Sequence, residues 1–95
     1  MKELNTFQRW FMQEMAAIQE ETAQIALAEK GDDSLKTDYY NITAETIIRI
    51  MELLDGYRND DMCKINITCE KNGEQLKDNP YIELHDVVCD YLKGI

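Results

Sequence analysis

The sequence predicts an α+β fold: a helical hairpin, then a two-stranded β-hairpin, then a C-terminal helix, in one small domain spanning residues 1–95. Three observations predict it. Apolar residues recur at spacings of three and four along two N-terminal stretches. The period changes to two in "MCKINITCE" (62–70), and the turn pair Asn72-Gly73 follows. A last stripe of helical spacing begins after Pro80.

The first element covers residues 3–30. Leu4, Phe7, Phe11, Met15, Ile18, Thr22 and Ile25 form one stripe, with Glu14, Glu20, Glu21 and Gln24 mostly off it. Alanines 16, 17, 23, 26 and 28 favour helix. Lys30-Gly31 is a C-terminal stop, and the loop "GDDSLKTD" follows. The second helix is predicted over 42–56, with Asn41 as N-cap and Gly56 as the residue after the helix. Its stripe, Ala44, Ile47, Met51 and Leu54, is flanked by Ile48, Ile50 and Leu53. That is wider than one buried face needs, so the helix is central or shared with another subunit.

In "MCKINITCE", Cys63, Ile65, Ile67 and Cys69 alternate with Lys64, Asn66, Thr68 and Glu70, the pattern of a half-buried strand. Asn72-Gly73 would turn the chain into a short return strand, "EQLK", carrying Leu76 to the core side. Pro80 suits a first helical position, and Leu84, Val87, Val88, Tyr91 and Leu92 make the last stripe, ended by Gly94. The expected core joins Cys63, Ile65, Ile67, Leu84, Val88 and Leu92 to Phe11, Ile18, Ile47, Met51 and Leu54.

Ten Lys and Arg against 19 Asp and Glu give a net charge of −9, with no basic cluster. That disfavours direct contact with nucleic acid or an anionic membrane. The absence of a long apolar run and of an N-terminal leader points to the cytoplasm. Three cysteines without a disulfide framework fit a reducing compartment.

Chemistry is sparse. A Cys₃His zinc set is rejected on spacing: Cys63 and Cys69 lie about 20 Å apart on a strand rising about 3.3 Å per residue, whereas sulfurs sharing one zinc lie within about 4 Å. His85 and Cys89 are neighbours on a helix and could pair as base and nucleophile. No glycine-rich turn or helix start lies beside Cys89 to hold an oxyanion. Asp86 and Asp90 would raise the thiol's pKa. The expectation is therefore no enzyme, no catalytic residue, no cofactor and no metal. Trp10 and Met12 lie off the main stripe of the first helix. With Ile50 and Leu53 they form the candidate interface, because Trp and Met are enriched at protein contacts.

The segment "TAETIIRIMELLDGY" followed by "IELHDVVCDYL" resembles small uncharacterised proteins of clostridial and other Firmicute genomes, many linked to phages or mobile elements. The resemblance rests on Met51 to Tyr57, on Glu83-Leu84-His85-Asp86 and on Asp90-Tyr91-Leu92. It implies a bacterial or phage cytosolic protein and carries no activity, cofactor or catalytic residue. The expected function is a non-enzymatic protein–protein interaction module, most simply a homodimer. The alternative is an acidic phage-type inhibitor that competes with nucleic acid for a nucleic-acid-binding protein.

Overall fold

The computed structural model describes residues 3–30, 33–58 and 64–94, apart from the side chains of Lys30 and Asp33. Helix α1 runs Thr6–Lys30 and helix α2 runs Lys36–Asp55, with a single 3₁₀ turn, Asp33–Leu35, leading into α2. Residues 64–83, which hold no helix, lead to a short helix α3, Leu84–Val88. The two long helices form a hairpin, and α3 packs mainly on α2 and only marginally on α1.

The class is all-α, which corrects the α+β expectation: the described residues contain no β-strand. Between 64 and 77 there is one isolated antiparallel bridge, Thr68 to Gln75. The Asn72-Gly73 turn is present, with Gly73 at φ 77°, and two bonds flank the bridge, from the Cys69 N–H to the Glu74 carbonyl and from the Leu76 N–H to the Ile67 carbonyl, at 2.8 Å each. The ladder stops there because its other groups are taken. The Ile65 N–H goes to the Leu54 carbonyl at the end of α2, at 2.8 Å. The Asn66 side-chain oxygen accepts from both the Ile67 and Lys77 N–H groups, at 3.0 Å each. A side chain thus occupies donors that a strand partner would need. Leu76 still reaches the core, whereas Ile65 is exposed and Ile67 half-buried. The expected core position Cys63 lies outside the described residues.

Helix ends explain the other shifts of boundary. Asn5 and Gln8 form a reciprocal capping box at the start of α1: the Gln8 N–H donates to Asn5 Oδ1 at 2.7 Å, and the Asn5 N–H to Gln8 Oε1 at 2.9 Å. Helix α2 begins six residues before the expected Ile42 (42 − 36), so Asn41 is interior and not a cap. Nothing in 36–41 breaks a helix, and Tyr40 anchors the added turn by donating its hydroxyl to Glu20 at 2.8–2.9 Å. Gly56 closes α2 with φ 89°, and the Tyr57 N–H reaches back to the Glu52 carbonyl at 3.0 Å. Pro80 lies in a turn after a cis bond, and α3 starts only at Leu84.

The core comprises Phe7, Met12, Ala44, Ile47, Met51, Leu76, Leu84, Val88 and Leu92. Each large member contributes about 1.5–3 kcal/mol by burial. Phe11 and Leu54 pack against it half-buried. Ile18 is exposed, against expectation. The buried line of α1 is Gln8, Met12, Gln19, Ala23 and Leu27, about one residue round from the expected stripe. Two of its members are amides with partners inside. Gln8 Nε2 donates to the Leu76 and Pro80 carbonyls at 3.0 and 2.8 Å. Gln19 Nε2 donates to the Tyr40 and Lys93 carbonyls at 3.1 and 2.7 Å, while its Oε1 accepts from the Lys93 N–H at 2.8 Å. These two glutamines fasten α1 to the irregular second half of the chain.

Candidate functional site

Two features stand out: a polar hub around Asp55 and an apolar face on the helical hairpin. Asp55 is the last residue of α2 and sits four residues after the buried Met51, so the helix turns its carboxylate inward, where it is fully buried. It accepts from Lys77 Nζ, from the Leu84 and His85 N–H groups at 3.0 and 2.9 Å, and from His85 Nδ1 at 2.6 Å. The two amides are the first of α3, so Asp55 caps that helix from across the core. A carboxylate only accepts, so Nδ1 carries a hydrogen, and Nε2 lies 3.4 Å from Asp86 Oδ1. Burial works to raise the Asp55 pKa, but the bonds from Lys77, from the His85 amide and ring, and from Leu84 outweigh it. The net direction is down.

Glu83 completes the hub. Its Oε1 accepts from the Tyr57 and Tyr81 hydroxyls at 3.2 and 3.3 Å, and its Oε2 lies 3.6 Å from Lys77 Nζ. Tyr57 also packs edge-on to the His85 ring, with centroids 4.9 Å apart. Its bond to Glu83, helped by burial, pushes the Tyr57 pKa up.

Asp55, Glu83 and His85 could offer three metal ligands within 4.8 Å of one another. The Lys77 ammonium already bonds Asp55 and stands near Glu83, so the position a cation would take between the carboxylates is filled by the protein's own charge. The hub is a structural ion-pair network that docks 77–85 onto the end of α2. The sequence held one signal of it: an aspartate on the core stripe of a helix, four residues after Met51.

The other sequence candidates separate. His85 turns its Nδ1 to Asp55 and not to Cys89, whose thiol donates to the His85 carbonyl at 3.2 Å. Burial, then Asp86 and Asp90, push the Cys89 pKa up. Met12 is fully buried and so leaves the candidate interface, while Trp10, Ile50 and Leu53 are exposed. Trp10 stacks on Phe7, at the opposite end of α1 from Ile25.

The apolar face joins Ile50, a candidate from the sequence, to Ile18 and Ile25, which the sequence places on the main stripe of α1. On α1 the stripe Phe7, Phe11, Met15, Ile18, Thr22, Ile25 is continuous. Its first three members pack into the core, and the line then runs out of cover: Ile18 is 46% and Ile25 63% exposed. Alongside on α2, Ile42 and Ile50 are 62% and 48% exposed. Ile18 and Thr22 form one wall of a shallow groove, and Ile42, Thr46, Ile47 and Ile50 the other. Hydrophobicity alone could not find it, because it reads Ile18 as core and Gln19 as surface. Among the described residues no helix is long and apolar enough to cross a membrane. Comparison with protein-family models, with curated proteins and with solved structures found no match.

Proposed function

We propose that the protein is a non-enzymatic protein–protein interaction module, and that the isoleucine face of the α1–α2 hairpin is its contact surface. The observation that carries this reading is the groove lined by exposed Ile18, Ile42 and Ile50 on two adjacent helices, with exposed Ile25 two turns along α1 from Ile18. Isolated exposed apolar residues are ordinary, but a contiguous patch marks a contact site. Self-association and a foreign partner are both uses such a face can serve. The free thiols of Cys69 and Cys89 support a reducing setting, consistent with a cytoplasmic protein.

The double variant Ile25→Asn, Ile42→Asn tests the reading. Both positions are more exposed than buried, so folding stability changes by less than about 0.5 kcal/mol each. Sedimentation velocity over a concentration series, together with affinity capture from host extract, compares the variant with wild type. Association that wild type shows and the folded variant lacks supports the reading. Identical behaviour of the two proteins removes this face from the function.

A further inference from the structure

We infer that the occupant of the isoleucine face is an amphipathic helix of a partner protein, apolar along one stripe and flanked by lysine and arginine. This rests on the reading of that face as an interface.

Shape is the first argument. The groove runs between two neighbouring helices, Ile18 and Thr22 on one side and Ile42, Thr46 and Ile50 on the other. Such a groove takes a third helix laid along it. Ile42 to Ile50 spans eight residues of helix (50 − 42), about 12 Å at about 1.5 Å per residue, so two to three turns of the partner fill it. The described residues contain no β-strand, so there is no sheet edge for an extended peptide to join.

Charge is the second argument and decides between occupants. Glu14, Glu21 and Glu29 are exposed on α1 and fall at helical spacings around Ile18 and Ile25. Glu45 is exposed on α2, and the one cation beside it, Arg49, is already paired with it at 2.8 Å. Lys36 lies beyond the groove near Leu27 and Ala28, and Lys93, whose backbone bonds the groove residue Gln19, has its Nζ paired with Glu20 at 3.1 Å. The face is therefore apolar in the middle and acidic at its rim. A second copy docked by a twofold axis sets the same acidic rim against itself, on a chain that carries −9. Like charges so opposed select against self-pairing, and a cationic rim on the partner is the complement.

The test uses two synthetic helical peptides that share one leucine stripe at spacings of three and four. One is flanked by Lys and Arg, the other by Glu. Each is titrated into the full chain while isoleucine methyl signals are followed by NMR. The basic peptide shifts Ile18, Ile25, Ile42 and Ile50, binds about tenfold tighter than the acidic one, and weakens as salt is raised. The charge swap Glu14→Lys, Glu29→Lys reverses the preference. Equal binding of the two peptides, or shifts confined to other residues, overturns the inference. So does a chain that is already dimeric with these methyls protected, although the interface reading then survives with a second copy as occupant. If neither peptide nor a second copy touches the face, both fall.

Discussion

At the scale of single residues, the most consequential group is Asp55. A buried carboxylate has to be matched by donors, since leaving one charge of such a pair unpartnered is strongly destabilising. Here Lys77, two amides and an imidazole supply the match. Its folded pKa lies below the ordinary aspartate value. A lowered folded pKa means stability that is present above the unfolded value and lost as pH falls through the folded one. The urea midpoint is therefore expected to drop on acidification below about pH 4, near the unfolded aspartate pKa. Asp55→Asn should cost about 3 kcal/mol at neutral pH by stranding the Lys77 charge. It should also make the acid limb shallower. Glu20, held down first by Tyr40 and then by Lys93, supplies part of the slope that remains. Parallel acid limbs for variant and wild type would show that the hub is not the source. None of this is visible in residue types alone. Asp55 looks like a helix-end acid before a glycine, and only its spacing from Met51 betrays an inward direction.

At the scale of elements, the helical hairpin was readable and the β-hairpin was not. Period and stop signals suffice for helices whose partners lie on each other, and Lys30 and Gly56 end them as the sequence implies. Residues 64–77 carry a strand-like alternation, yet the ladder is pre-empted by Asn66 and by a carbonyl of α2. These are tertiary competitors that a local pattern cannot register. The buried line of α1 was misplaced for a similar reason, because Gln8 and Gln19 count as polar until the backbone groups they bond are known. The tail illustrates the point. Gly94 has φ 91°, and a Cβ there would lie 2.8 Å from Asn41 Oδ1 and 2.9 Å from Tyr40 atoms. Together with the Gln19 clamp on Lys93, this lays the end of the described chain against α2. Gly94→Ala and Gln19→Leu are each expected to destabilise by about 1–3 kcal/mol, one through strain and crowding, the other through buried carbonyls and an amide left unpaired. Chemical denaturation measures both. A neutral Gln19→Leu would mean that the tail is not held there.

For the whole molecule, charge and apolar exposure pull in opposite directions. A net −9 repels itself, lowering the stability of the compact state while keeping copies apart. Raising ionic strength to about 0.5 M should lift the melting temperature by on the order of a few degrees, as screening relieves that repulsion. Calorimetry at several salt concentrations checks it, and a flat or falling trend would show that local ion pairs outweigh the global field. The acidic character and the surplus of apolar helix surface were both legible from composition and pattern. Of the residues that make that surface Ile50 was legible and the α1 members were not, since they depend on where cover ends along α1.

The Asp55 hub also bears on how the molecule comes apart. All the donors to Asp55 come from residues 77–85, far along the chain from α2. A half-docked segment would leave a carboxylate, an ammonium or helix-end amides dry and unmatched, so intermediate positions lie high in free energy. The segment is therefore either seated or released, with little between. Such a latch concentrates its resistance in the unfolding barrier, and the hub residues should set how long the folded state persists more than how quickly it is reached.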